Sequence, residues 1–387
     1  MRTSAVGVAL AALVCGALAA AGPAGDKLPT VKRITTIYED HPKSADWCAA
    51  NELIAFCGWQ LDGYCDVFVM RPDGKGVRCL TSRAGLCPQR HNGNPAWHPS
   101  GEFIAFTAQN EDAARGEDTV LARAESKSVP GSGVNCNLWV VKADGSKAWQ
   151  LTDSKTDYDT PRGVIHPQFS SDGKKIAWAA LAGEYPRGMV WGRWAIYVAD
   201  FALDDGGPKL KNVQKLQPGQ QMNFYETHAF SKDGSRLLFS ANCEPGQPVT
   251  GIDIYEYEIA SGRLKNLTNT PGAWDEHAHW SPDGKWIAWM SSTGMDINYK
   301  EVRGGEWRKY LKTDLWIMDS GGKERERLTF FNEKGHPHYL GGRTIVSDSA
   351  WSPDGKGLVV TVAHADDATG VTRRTKLVLV ELDVGEH

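Results

Sequence analysis

His279-Trp280-Ser281-Pro282-Asp283-Gly284, running on into Lys285-Trp286-Ile287-Ala288-Trp289, is the stretch that decides the fold, because the chain repeats it. Ala350-Trp351-Ser352-Pro353-Asp354-Gly355 is a near-identical copy. Ala229-Phe230-Ser231-Lys232-Asp233-Gly234, Gln168-Phe169-Ser170-Ser171-Asp172-Gly173 and Ala96-Trp97-His98-Pro99-Ser100-Gly101 are further copies, and Asp46-Trp47-Cys48 is a worn one. Self-similarity on this scale is the mark of a repeat architecture.

Each copy leads into a short apolar run, such as Phe103-Ile104-Ala105-Phe106 or Leu237-Leu238-Phe239. A second run follows, such as Leu138-Trp139-Val140-Val141 or Leu315-Trp316-Ile317-Met318, and most units then close with Leu-Thr at 80–81, 151–152, 267–268 and 328–329. Short aromatic and β-branched runs bounded by turn dipeptides read as strands, and Asp-Gly tolerates the positive φ of a tight hairpin. Six units of four antiparallel strands describe an all-β, six-bladed β-propeller. The last unit has its third strand at Leu377–Val380 and no fourth. Lys32-Arg33-Ile34-Thr35 resembles the missing strand, so the N-terminal segment is expected to pair with the last blade and close the ring, removing an open sheet edge.

The expected organisation is a signal peptide over 1–21, a short linker over 22–30 and one propeller over 31–387. Arg2 followed by the apolar, small-residue stretch Val6–Ala20 reads as an export signal with small-x-small cleavage sites. The mature chain then carries no membrane span, and the protein is periplasmic or secreted. A formal net charge of −4 argues against a nucleic-acid partner. Seven cysteines follow the signal, and Cys57 and Cys65 flank one hairpin loop, where a bridge is expected in an oxidising compartment. No Gly-x-Ser-x-Gly elbow, Walker loop or His-Glu-x-x-His helix occurs.

Antiparallel alternation places the regular Asp-Gly turns on one face of the disc and every long connection on the other. Those connections are 110–136, 181–193, 293–312 and 330–347. Long loops gathered on one side of a rigid scaffold are where binding or catalysis sits. They hold Tyr185, Trp191, Trp274, Tyr299, Trp307, Tyr310 and Tyr339, together with Arg187, Arg193, Lys300, Arg303, Arg308, Lys309 and Arg343. Rings suit stacking on sugars, and guanidinium forks suit carboxylates or phosphates.

The start of each innermost strand should line the channel mouth on that same face. Three positions before the aromatic anchor stand Ser44, Asn94, His166, Thr227, His277 and Asp348. Glu226-Thr227-His228 and Asp275-Glu276-His277-Ala278-His279 therefore project from adjacent blades toward one axis. His166, His228, His277 and Glu276 are the candidate ligands of a divalent metal at the channel mouth. Glu226, His279, Asp348, His336, His338, Arg193, Arg303 and Trp307 are the candidate ligand-binding residues around it.

The Trp-Ser-Pro-Asp-Gly-Lys repeats with their Ile-Ala-Trp strands and closing Leu-Thr resemble the TolB-like propeller family over nearly the whole mature chain. That resemblance implies a binding or interaction module with a protein or glycan partner in the cell envelope, here without the α/β domain that precedes the propeller in TolB. A second resemblance is to oligogalacturonate lyases, propellers that hold manganese with channel histidines and cleave acidic sugars by β-elimination. His277, three residues before Trp280, matches one of their ligand positions, and His336-Pro337-His338 is similar to their His-Pro-His pair. In that family the pair directly precedes a strand anchor, whereas here Tyr339–Ala350 intervenes. This second resemblance implies a metal-dependent carbohydrate-active enzyme.

Overall fold

In the computed structural model, residues 27–113, 133–157, 162–182, 192–219, 224–366 and 372–385 are described. The expected export signal, the loop aromatics Tyr185 and Trp191, and Arg187 lie outside them. No helix among the described residues is long and apolar enough to cross a membrane.

Six four-stranded antiparallel sheets form a ring. Blade one is Lys43–Trp47, Ile54–Trp59, Cys65–Met70 and Arg78–Cys79. Blades two to five follow the same order, beginning at Asn92, Val164, Tyr225 and Asp275. Blade six takes Arg343–Trp351, Gly357–Ala365 and Thr372–Asp383 from the C-terminal end, and its outer strand is Thr30–Tyr38. Ile34 pairs with Val380 and Thr36 with Val378, antiparallel, so the ring is closed as the sequence pattern requires. The first strands of successive blades touch one another around the axis, including blade six against blade one.

The repeated phrase is a hydrogen-bonded clamp. Ser281 Oγ donates to the Asp283 carboxylate at 2.6 Å and accepts from Trp286 N at 3.0 Å, while Asp283 accepts from Lys285 N at 3.1 Å. The Ser170–Asp172, Ser231–Asp233 and Ser352–Asp354 pairs repeat it. These bonds satisfy turn amides that the sheet cannot reach. The Ser231 hydroxyl, followed by the Ser235 hydroxyl and amide, holds the Asp233 carboxyl down to about 2.

The closing Leu-Thr works differently from the expectation. The outer strands stop just before it, at Arg78–Cys79, Ala148–Gln150, Arg263–Asn266 and Arg325–Arg327. The threonine is a rivet. Thr329 Oγ1 accepts from Leu315 N at 2.9 Å and donates to Asp314 at 3.0 Å. Thr81, Thr152 and Thr268 do the same with Asp66, Asn137 and Asp253. Between the second and third strands, facing aromatic pairs recur: Phe56–Phe68, Trp178–Tyr197 and Phe239–Tyr255 stack with centroids 5.5–5.7 Å apart. Such cross-strand pairs each add about 0.2–1 kcal/mol.

Two further expectations are corrected. All seven described cysteines are free. Cys57 faces Val67 and Cys65 faces Trp59, so the two are out of register for the expected bridge. The connection into blade six ends at Gly342, because Arg343–Ser347 extend the innermost strand. Blade three, which lacks the Leu-Thr close, has its expected fourth strand at Gly207–Leu216.

Two outcomes follow. Deleting residues 27–38 removes the partly buried Val31 and Ile34 from the core and frees the Thr372–Asp383 edge. The loss of on the order of 3 kcal/mol of apolar burial should lower the urea midpoint and produce aggregates in size-exclusion chromatography. Thr329→Val keeps the shape but strands Leu315 N and one Asp314 contact, and should cost about 1–3 kcal/mol in urea unfolding.

Candidate functional site

Each inner strand carries a β-bulge near its start. Register shifts fall between Lys43 and Asp46, Gly93 and Ala96, Ile165 and Gln168, Thr227 and Ala229, Glu276 and His279, and Val346 and Asp348. A bulge leaves a residue unpaired and re-aims its side chain. Ser44, Asn94, His166 and His277 hold φ of 40°, 49°, 49° and 55°. This left-handed region is costly for residues with a Cβ, and such strain gathers at functional sites.

The bulges bring His166, Glu226, His228 and His277 together. One ligand atom from each lies within 4.8 Å of all the others. Ligands about 2.1 Å from a common ion sit roughly 3–4 Å apart, so a small contraction gives a bound geometry. His166 Nε2 is 3.0 Å from Glu226 Oε1 and 3.1 Å from Asn94 Nδ2. His277 Nδ1 is 3.5 Å from the same Glu226 oxygen and 3.8 Å from Asp348 Oδ1. His228 is held from behind by Ser240 Oγ, 2.6 Å from its Nε2. Glu226 Oε1, His228 Nδ1 and His277 Nδ1 are buried and have no hydrogen bond of good geometry. Buried polar atoms are nearly always hydrogen-bonded, so three such atoms on neighbouring residues of one cluster are unusual.

The electrostatics divide the carboxylates. Burial would raise Glu226, but His166 and His277 outweigh it and hold its carboxyl below the usual range. Glu276 is pushed well above that range, first by burial and then by the Glu226 charge. The two carboxyls are thus pushed apart, Glu226 toward the ionised form and Glu276 toward the protonated one, and Trp274 Nε1 donates to Glu276 Oε2 at 2.9 Å. Burial would lower His166, yet the Glu226 carboxylate prevails and raises it. Burial drives His228 well below its ordinary value and also lowers His277. Asp348 is held low by His277 and His279 against its burial, and His279 Nε2 lies 3.6 Å from it.

The other sequence-predicted residues fall into two groups. Trp307 stacks on Trp274 with centroids 5.1 Å apart, so it reaches the site through the indole that pins Glu276. Tyr299 is fully buried and edges the same indole at 5.8 Å. His336 and His338 instead pack together at 4.5 Å, with His336 stacked on Phe330 at 4.3 Å, as a separate cluster. Arg303 turns back to the Lys300 carbonyl at 2.7 Å. The Arg193 carbonyl accepts from Ala182 N at 2.7 Å. Arg343 is buried and donates to the Leu311 and Asp366 carbonyls, both at 2.9 Å. Ser240 was missed by sequence reasoning. The available signal was its register, directly opposite Glu226 in the sheet.

In metal-free protein, Glu226→Gln should let burial win at His166. Its ring NMR signals, charged in the wild type at slightly acidic pH, should become those of a neutral imidazole at the same pH.

No known family profile matches the chain. Dipeptidyl-peptidase 5 of Porphyromonas endodontalis is 22% identical over 256 residues, which cover 58% of this chain and 32% of that protein. The chain thus spans about a third of the length of that curated relative. Among solved structures, a putative TolB from Agrobacterium tumefaciens superposes with TM-score 0.52 at 14% identity, over 84% of this chain and 90% of the other. A gluconolactonase from Xanthomonas campestris gives TM-score 0.50 at 14% identity, over 92% and 95%. At these identities the likeness establishes the fold, a TolB-like six-bladed propeller, and leaves function to the site.

Proposed function

We propose that the protein is an exported propeller that binds its ligand on the long-loop face, at a divalent cation held in the channel mouth by His166, Glu226, His228 and His277. The observation that carries this reading is the convergence of four buried or nearly buried ligand groups, His166, Glu226, His228 and His277, with one ligand atom of each within 4.8 Å of the others. Three imidazoles and one carboxylate suit manganese, iron or zinc better than calcium, which prefers oxygen donors. A bound ion of this kind supplies Lewis acidity toward a carboxylate or hydroxyl of the ligand. The chain's own residues orient it: Ser240 fixes the His228 ring, Asn94 faces His166, and Trp274 positions Glu276. The apolar, small-residue stretch at Val6–Ala20 supports export.

Titrating chelator-stripped protein with manganese, zinc and calcium in turn tests this by calorimetry. One ion per chain should bind, with manganese or zinc preferred and binding lost in the His228→Ala/His277→Ala double variant. Affinity should be tighter at pH 8 than at pH 6, because the proton that Glu226 retains on His166 must leave before that nitrogen can ligate. Wild-type protein that takes up none of the three metals would overturn the reading.

A second reading, a metal-dependent carbohydrate-active enzyme, is favoured by one observation. Glu276, 3.7 Å from the His277 ring, is pushed by burial and the Glu226 charge toward the protonated form that a general acid needs. Turnover of acidic oligosaccharides by the metal-loaded protein, abolished in Glu276→Gln with metal content unchanged, would establish it. Binding of the same sugars without turnover leaves the binding role.

A further inference from the structure

We propose a second ligand site, for neutral or amino sugars, in a cleft at the outer edge of blade two on the long-loop face. The cleft measures about 400 Å3, within the range of small-molecule sites. Three connections of that face enclose it: the passage from blade one to blade two, the exit from the second strand of blade two, and the exit from its fourth strand. It is remote in kind from the histidine cluster, with which it shares no lining residue.

The cleft has an aromatic wall. Trp139, on the third strand, is half-buried and lines it, with the buried Leu86 and Cys87 beneath. A flat indole suits the C–H face of a sugar ring, which is apolar while its edge is polar. Gln150, directly across the sheet from Trp139, is exposed, and its Nε2 donates to the Thr152 carbonyl at 2.7 Å, which fixes the amide at that edge.

The polar rim is pre-organised. Asn110 Nδ2 donates to the Ser154 carbonyl at 2.9 Å and to Thr156 Oγ1 at 3.1 Å. Asn137 Nδ2 donates to Asn110 Oδ1 at 2.7 Å and to the same Ser154 carbonyl at 2.9 Å. Thr156 Oγ1 donates to Asp112 at 2.6 Å. These bonds brace two connections against each other, so little ordering remains for a ligand to impose.

Charge selects the ligand class. Glu111, Asp112 and Asp153 are exposed at the rim, where Lys155 pairs with Asp153 at 2.8 Å and Arg90, behind the rim, pairs with Glu111 at 3.5 Å, so carboxylates still outnumber the cations beside them. Carboxylates accept from sugar hydroxyls or an amino group through their remaining lone pairs. They repel phosphates and uronic acids.

The test is calorimetric titration with maltotriose, cellotriose, chitotriose and glucosamine, with trigalacturonate as the acidic comparison. At least one neutral or amino sugar should bind. Trp139→Ala should weaken it by about tenfold or more, Trp139→Phe should retain part of the affinity, and the His228→Ala/His277→Ala variant should leave it unchanged. Gln150→Ala and Asp153→Asn alter exposed side chains and keep the test alive if Trp139→Ala does not fold; each should weaken binding severalfold. Failure of all four neutral or amino sugars to bind, binding confined to trigalacturonate, or binding indifferent to Trp139, Gln150 and Asp153 would overturn the proposal.

Discussion

The pairing of Thr30–Tyr38 with Thr372–Asp383 is the constraint on which the rest of the molecule depends. A propeller blade buries its faces against its neighbours, so an open ring leaves two blades half-covered and one sheet edge bare. Stitching the first described strand onto the last sheet makes every blade interior. It also fixes the axis around which the inner strands converge. Glu226 and His228 come from blade four, His277 from blade five, His166 from blade three and Asp348 from blade six, so the candidate site exists only if the circle holds its shape.

Rigidity of that circle explains how so much polar material stands at its centre. His166, Glu226, His228, Glu276 and Asp348 are all buried. Burial alone would neutralise carboxyls and imidazoles alike. The cluster instead sets them against each other: two facing histidines hold the Glu226 carboxyl below its usual range despite burial, while burial and then the Glu226 charge push Glu276 well above it. The positive φ angles of His166 and His277 add strain at the same place. Strain of that kind persists where the surrounding sheet over-determines the backbone.

The long-loop face communicates with this centre through aromatic contacts. The connection between the second and third strands of blade five carries the short helix Trp307–Tyr310, whose Trp307 stacks on Trp274, whose indole nitrogen in turn holds Glu276. Trp307 on that loop thus lies two contacts from the Glu276 carboxyl. The cleft on blade two stands apart from that route, braced by its own asparagines.

Legibility in the sequence followed the range of the interactions. The clamp of Ser281 with Asp283 spans two residues and recurs in every good copy, so it announces blade number, strand direction and which face bears the regular turns. The closing strand was readable as well, since Ile34 occupies the place of a strand the last unit lacks. The inner-strand count also placed His166, His228 and His277 at one mouth, because a repeat converts sequence offsets into positions on a circle. What it left undecided was the side-chain geometry. His336 and His338 had the same residue types as the cluster yet pack on Phe330, and Arg343 resembled a ligand-facing arginine yet is spent on two carbonyls. Cys57 and Cys65 were near in sequence but out of register. Blade number and ring closure are set by local patterns repeated along the chain, and those the amino-acid order determined on its own. Which donors meet, which carboxyl keeps its proton and which loop covers which edge depend on bulges and contacts between residues tens to hundreds of positions apart, and only the folded ring decided them.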